Sequence, residues 1–123
     1  MHKIGYLHRD VKPDNLAIGQ AEKNKIIYLF DFGLALPIGS GIPKEEKGKV
    51  VGTLGFMSCR GHEGKPQGPA DDIECMLYTL LYLAEGTLPW VKLKVQSPAD
   101  FHKIFLAKKS IAKKQFKNQS IPH

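Results

Sequence analysis

The chain has 123 residues, with 18 Lys or Arg against 12 Asp or Glu, so its formal net charge is +6. This length suits one small domain, and the moderate positive charge favours an acidic partner without identifying it. Two isolated cysteines exclude a disulfide framework, and no signal peptide, transmembrane stretch or aromatic-basic nucleic-acid module is visible. We therefore expect an intracellular protein, cytoplasmic or nuclear, without a membrane or nucleic-acid partner.

Two short motifs are the most distinctive feature of the chain. Residues 8–15 read His-Arg-Asp-Val-Lys-Pro-Asp-Asn, and residues 31–33 read Asp-Phe-Gly. Their order, with a strand-rich stretch between them, is typical of the catalytic loop and the metal-binding turn of a protein kinase. The chain therefore resembles a protein kinase, which transfers the γ-phosphoryl group of ATP to a hydroxyl with the help of Mg²⁺.

The resemblance implies a role for each polar residue of this site. Asp10 matches the catalytic carboxylate that accepts the proton of the hydroxyl, and Lys12 can reach the transferring phosphate as a point charge. Asn15 and Asp31 match the oxygen ligands of Mg²⁺, so Lys12, Asn15 and Asp31 are the expected contacts of ATP and metal. Thr53 matches a threonine that bonds the catalytic Asp and Lys in serine/threonine kinases; the alternative is a plain turn residue.

Five residues are expected to support this chemistry without taking part in it. His8 and Arg9 would hold the catalytic loop. Gly33 would permit the tight backbone of the metal-binding turn, and Phe32 would pack against the helical core. Asp72 matches the acid at the head of the central helix that bonds the catalytic-loop backbone, and it could also be the N-cap of that helix.

The segment between the two motifs predicts a β-hairpin. Residues 16–18 and 26–30 are short apolar runs joined by a polar stretch. Such a hairpin would carry Asn15 at one end and Asp31 at the other, and would fold the two metal ligands towards one point.

The activation segment, residues 34–60, begins with a stretch rich in Gly, Pro and mixed charges. Residues 34–51 therefore predict a mobile loop with no packing of its own, in which Ser40 is the one hydroxyl. The lysines of this stretch could attract acidic or pre-phosphorylated protein substrates. Its two neighbouring acids, Glu45 and Glu46, offset that charge and favour a solvated loop.

Two helices are predicted in the second half of the chain. Residues 71–85 have apolar side chains at helical spacing on nearly all sides, which is typical of a helix inside a core. Residues 97–116 predict an amphipathic helix with lysines crowding its polar face, among them Lys108, Lys113 and Lys114. We favour a lobe helix with a solvated basic face, although such a helix could also bind anionic lipid, nucleic acid or calmodulin.

Further motifs narrow the resemblance to one group of kinases. Residues 52–60 read Gly-Thr-Leu-Gly-Phe-Met-Ser-Cys-Arg and lack the Ala-Pro-Glu triplet that usually closes the activation segment. Paired acids at 71–72 and Leu-Pro-Trp at 88–90 complete a pattern that resembles the casein kinase 1 group, including the tau-tubulin kinases and, more distantly, the vaccinia-related kinases. The resemblance implies an α+β fold: a partial kinase C-lobe, mainly helical, with a small β-hairpin carrying the catalytic and metal-binding loops.

Parts of the kinase pattern are missing from residues 1–123. No Gly-rich loop and no strand with a Val-Ala-Ile-Lys-like lysine precede the catalytic motif, so we expect the N-lobe and the end of the C-lobe to be absent. The sequence predicts a serine/threonine kinase of the casein kinase 1 group, here as a poorly stable fragment without turnover of its own. The alternative is a non-catalytic, kinase-derived binding or scaffold module.

Overall fold

A computed structural model describes residues 1–91 and 94–119, with side chains up to residue 111. Within these residues it has small antiparallel strand pairs and few helices, which confirms the predicted α+β class. The chain divides into two compact units, Met1–Thr87 and Leu88–His123. The strands are β1 (Tyr6–Leu7), β2 (Leu16–Ile18), β3 (Ile27–Leu29) and β4 (Leu36–Pro37), and the helices are α1 (Cys59–His62), α2 (Pro69–Glu85) and α3 (Pro98–Gln119).

Strands β2 and β3 form the predicted hairpin. They pair antiparallel, with Leu16 opposite Leu29 and Ile18 opposite Ile27. The Phe30 amide donates to the Asn15 carbonyl at 2.7 Å and extends the pairing by one step. Asn15 accepts this bond and Asp31 directly follows its donor, so the two predicted metal ligands both lie at the open end of the hairpin.

Strands β1 and β4 form a second pair that the sequence did not predict. Tyr6 lies opposite Pro37 and Leu7 opposite Leu36, and the Ile38 amide adds a 2.8 Å bond to the Gly5 carbonyl. The activation segment therefore starts as a strand against the chain that precedes the catalytic loop. The prediction that residues 34–51 have no packing of their own is wrong, because backbone pairing anchors the start of the segment.

Helix α2 covers the predicted range 71–85 and starts two residues earlier. Pro69 occupies its first position, where a missing N–H costs nothing, and the Asp71 carboxylate accepts the Gly68 amide at 2.7 Å. At the other end Gly86 has φ 77° and donates its amide to the Tyr82 carbonyl at 2.8 Å. This left-handed glycine ends the helix as the sequence predicts.

Only one face of α2 is covered among the described residues. Its buried side chains are Asp71, Asp72, Cys75, Tyr78 and Thr79. The opposite face leaves an apolar stripe at helical spacing in solvent, formed by Ile73, Leu77, Leu80 and Leu83, which are 57%, 55%, 50% and 61% exposed. The prediction of a helix inside a core therefore holds for only one face of α2 among the described residues.

Helix α3 belongs to the second unit and starts where the sequence predicts. Ser97 Oγ accepts the Asp100 amide at 3.3 Å, and Asp100 Oδ2 accepts the Gln96 amide at 3.0 Å. This reciprocal arrangement satisfies free amides at the start of the helix. The hydrogen bond from Gln96 is the main reason why the pKa of Asp100 is lowered.

One lysine of α3 contradicts the predicted solvated basic face. Lys108 is fully buried, and its Nζ atom lies 5.6 Å from the centroid of the buried Trp90 ring, within range of a cation–π interaction. Lys113 and Lys114, also assigned to that face, lie outside the described side chains. No helix in the described part of the chain combines the length and the hydropathy needed to cross a membrane.

Candidate active site

The catalytic loop is held by a carboxylate of α2. Asp72 Oδ2 accepts the His8 amide at 2.8 Å, and Oδ1 accepts the Arg9 amide at 2.9 Å. His2 Nε2 donates to the same Oδ2 at 2.8 Å. Asp72 is only 6% exposed, so these charge-assisted bonds form in a largely dry environment. The predicted contact with the loop backbone is present, whereas the cap of α2 is made by Asp71.

Hydrogen bonds at both ring nitrogens fix His8 in one tautomer. The Asp10 amide donates to His8 Nδ1 at 3.1 Å, so this nitrogen must carry a lone pair. Nε2 therefore carries the hydrogen and donates it to the Phe30 carbonyl at 2.7 Å. Since both nitrogens bind backbone groups, the ring joins the catalytic loop to the strand before Asp31.

Thr53 joins the predicted catalytic acid to the predicted phosphate-binding lysine. Its hydroxyl accepts from Lys12 Nζ at 2.8 Å and donates to Asp10 Oδ1 at 2.7 Å. Lys12 Nζ also lies 3.7 Å from the second carboxylate oxygen, Oδ2. Gly52 permits this approach, because it has φ 117° and a Cβ there would lie 3.3 Å from the Arg9 carbonyl. The turn therefore serves to place the hydroxyl between two charges.

Asn15 presents one atom to a cation. Its side-chain nitrogen donates to the Asp10 carbonyl at 2.8 Å, with a longer contact of 3.5 Å to Asp10 Oδ2. Because the nitrogen is oriented towards the catalytic loop, the carbonyl oxygen Oδ1 is the atom that remains for a metal ion. The side chain is buried, so the orientation is set before any ligand binds.

Asp31, and not Gly33, has the unusual backbone of the metal-binding turn. Its φ is 58°, in the left-handed region that Asp tolerates better than most residues. Gly33 is needed for another reason: its amide donates to Asp31 Oδ1 at 3.1 Å, and an added Cβ would come within 3.1 Å of the same oxygen. Gly33 therefore makes room for the Asp31 carboxylate and does not supply a left-handed turn.

Phe32 does not pack into the helical core. Its side chain is 57% exposed, and its ring meets the His8 ring edge-on, with 5.5 Å between centroids. The predicted packing is wrong in the described part of the chain, and Phe32 instead covers the histidine that joins the two loops.

Glu46 is a site residue that sequence reasoning missed. Arg9 Nη1 and Nη2 donate to its two carboxylate oxygens at 2.8 and 3.0 Å, and Arg9 Nε donates to the Leu34 carbonyl at 2.6 Å. The bonds from Arg9 hold the pKa of Glu46 below its ordinary value. Glu46 was assigned to a solvated loop because nothing in the local sequence distinguishes it from Glu45.

A second missed cluster joins the end of the activation segment to α2. Glu74 Oε2 accepts the Cys59 amide at 2.7 Å and the Tyr78 hydroxyl at 2.5 Å. Burial, and then the hydrogen bond to Glu74, raises the pKa of Tyr78 well above its ordinary range. This cluster fixes the short helix α1, which follows the segment that lacks Ala-Pro-Glu.

The oxygen donors of the site fit Mg²⁺ bound together with phosphate. The described residues contain no group of three or more His, Cys, Asp and Glu side chains that could enclose a metal ion by themselves. Mg²⁺ usually takes one or two carboxylates and completes its shell with water and phosphate oxygens. The Asp31 carboxylate and the Asn15 carbonyl supply such a partial donor set.

Comparison with known proteins agrees with this geometry. The family model described as the protein kinase domain matches residues 1–122. A probable serine/threonine-protein kinase of Dictyostelium discoideum is 46% identical over 99 residues, which cover 76% of this chain and 20% of that protein. The chain thus spans a fifth of the length of that relative. With the family model matching nearly all of its residues, the chain belongs to the protein kinase family.

Proposed function

We propose that the chain forms the catalytic and metal-binding part of a serine/threonine protein kinase of the casein kinase 1 group, which transfers the ATP γ-phosphoryl group to protein hydroxyls. The observation that carries the proposal is the Thr53 hydroxyl between Lys12 Nζ, at 2.8 Å, and Asp10 Oδ1, at 2.7 Å. A carboxylate and an ammonium group fixed side by side suit a reaction that needs a proton acceptor and a cation near phosphate.

Asp10 orients the substrate hydroxyl and accepts its proton as the hydroxyl oxygen bonds to the γ-phosphorus and the bond from that phosphorus to the departing ADP breaks. Thr53 occupies Oδ1, whereas Oδ2 has longer contacts, 3.5 Å to Asn15 and 3.7 Å to Lys12, so Oδ2 is the oxygen that receives the proton. Lys12 balances negative charge beside it. When bound, Mg²⁺-ATP supplies the phosphoryl group, and Asn15 and Asp31 would hold its metal ion.

Assignment to the casein kinase 1 group rests on how the activation segment ends. Residues 52–60 stand where most kinases have Ala-Pro-Glu. Glu74, two residues after the paired acids, accepts the amide of Cys59 at 2.7 Å and so connects this segment to α2. The chain represents part of a C-lobe in this proposal. Residues 1–123 contain no Gly-rich loop, and the nucleotide-binding lobe would come from sequence outside them.

Protein substrates that are acidic or pre-phosphorylated suit this surface. Lys44, Lys47 and Lys49 are exposed in the activation segment, where they can attract negative charge. Cys59 and Cys75 form no disulfide among the described residues, which favours a reducing, intracellular location, cytoplasmic or nuclear. No membrane or nucleic-acid partner is part of this proposal.

The test is transfer of γ-phosphate from ATP to a serine peptide by the full-length protein that contains this sequence. We expect activity that needs Mg²⁺ and falls by roughly 10²-fold or more in Asp10→Asn, because the proton acceptor is lost. Asp14→Asn is the matched control, since this exposed acid lies in the same loop. A wild-type protein without transfer activity would overturn the proposal and favour the non-catalytic binding module.

A further inference from the structure

Arg9 has an unusual backbone conformation within the catalytic loop. It has φ 70°, a left-handed conformation that is unfavourable for a residue with a side chain, and it is only 7% exposed. Backbone strain of this kind persists where the surroundings over-determine the residue. Asp72 holds its amide, and the Leu34 carbonyl and the Glu46 carboxylate hold its side chain.

Arg9 and Glu46 form a bidentate, charge-assisted pair of hydrogen bonds. Both terminal nitrogens of the guanidinium meet both oxygens of one carboxylate, at 2.8 and 3.0 Å. Parallel bonds of this kind fix orientation as well as distance. Because the arginine is buried, a carboxylate partner also offsets the cost of removing its charge from water.

In switching kinases the activation segment becomes ordered when a phosphorylated residue in it pairs with an arginine. In this chain the Glu46 carboxylate already binds the Arg9 guanidinium. Residues 34–51 contain a single hydroxyl, Ser40. These residues therefore offer one phosphorylation site, Ser40, whereas the Glu46 carboxylate supplies a negative charge without phosphorylation.

The contact also reaches the residues of the chemistry. Arg9 directly precedes Asp10, and its Nε donates at 2.6 Å to the carbonyl of Leu34, which follows the metal-binding turn. One guanidinium thus joins the catalytic loop, the turn that carries Asp31 and the activation segment. Glu46 itself touches no reacting atom.

We propose that Glu46 is a positioning residue whose carboxylate clamps Arg9 and orders the activation segment without phosphorylation. This proposal rests on the proposed function, because it assigns Glu46 to the same site. It requires that residues 34–51 keep their backbone protection in the unphosphorylated protein, and that the protection depends on Glu46 and not on the neighbouring acid.

Amide hydrogen exchange of the full-length, dephosphorylated protein tests the clamp without any need for activity. In Glu46→Ala and Glu46→Gln we expect exchange in residues 34–51 to rise by roughly tenfold or more, since a charged pair of hydrogen bonds is lost. The matched control is Glu45→Ala, which removes the same charge from an exposed neighbour. Glu46→Asp should restore part of the protection.

Two results would overturn the clamp. Exchange in Glu46→Ala that equals exchange in Glu45→Ala would show that the contact does not order the segment. Equal acceleration throughout α2 would show that Glu46 supports the whole fold and not the site.

Kinetics then separate the clamp from the proposed function. If the wild type transfers phosphate, Glu46→Ala should lower kcat/KM for the peptide by roughly tenfold. Phosphatase treatment and Ser40→Ala should change the wild-type rate by less than about twofold if the clamp replaces a phosphate. Activity of the wild type that depends strongly on phosphorylation of the activation segment would refute the clamp. If the wild type is inactive, the proposed function fails, and hydrogen exchange still decides the clamp.

Discussion

Replacing Asp72 by Asn tests how α2 holds the catalytic loop. The carboxylate offers two oxygens to three N–H groups: the amides of His8 and Arg9 and the ring of His2. An asparagine of the same shape offers one oxygen and one NH₂ group. In its better orientation the oxygen keeps His8 and His2, while its NH₂ group faces the amide of Arg9, which already has a strained backbone.

The magnitude follows from these contacts. A buried donor left without a partner costs about 1–3 kcal/mol, and the remaining bonds lose the strengthening supplied by a charge. We therefore expect Asp72→Asn to lower the free energy of unfolding by about 2–4 kcal/mol. Asp71→Asn makes the same chemical change one residue earlier, but its oxygen can still accept the single Gly68 amide, so we expect a loss under about 1 kcal/mol.

Urea unfolding of both variants measures the difference, and hydrogen exchange at His8 and Arg9 locates it. Faster exchange at these two amides is expected only in the Asp72 variant. If both variants lose the same free energy, or if the two amides stay protected in Asp72→Asn, the anchoring described here is wrong. In the full-length protein the Asp72 variant should also lose transfer activity, because Asp10 follows directly after the released amides.

Three further results are expected. Tyr78→Phe should lower the free energy of unfolding, measured in urea, by about 1–2 kcal/mol, because Glu74 loses a hydroxyl donor at 2.5 Å. Thr53→Ala should lower kcat by about 10–100-fold in a peptide assay, whereas Thr53→Ser should keep most of the activity. Arg9 lowers the pKa of Glu46 below 4.5, so this pairing stabilises the fold fully above pH 4.5 and is lost as the pH falls through the lowered pKa. An NMR titration of the Glu46 carboxyl in wild type should show that low pKa, with Lys49 and Lys65 as the other cations lining the same cleft.

The motif residues of the candidate site could be located from the sequence because each lies at a fixed offset within a motif. Asp10 and Asn15 share one loop, and the hairpin between Asn15 and Asp31 follows from two apolar runs around a polar turn. The end of α2 was also predicted, since Gly86 marks a helix stop for steric reasons, whereas its start was placed two residues late because Pro69 was not recognised as the first helical residue.

The missed features depend on partners distant in sequence. Glu46 is 37 positions from Arg9, and the strand pair β1–β4 joins segments about thirty residues apart. A short strand such as Leu36–Pro37 has no periodicity to recognise, and a glutamate in a run of charges has no local mark of its partner. The same reason explains Lys108, whose burial beside Trp90 reverses what its lysine-rich surroundings favour.

Helix α2 inverts the usual arrangement, because it buries acids and leaves leucines in solvent. Asp72 and Glu74 point their oxygens at backbone amides of the catalytic loop and of α1, so their placement serves the site. Burial of a large apolar side chain contributes about 1.5–3 kcal/mol to the free energy of unfolding. This stabilisation is largely missing for the exposed stripe, formed by Ile73, Leu77, Leu80 and Leu83. The proposed larger C-lobe would account for the inversion, since further helices packed on the stripe would stabilise the helix while its acidic face remains committed to the catalytic loop.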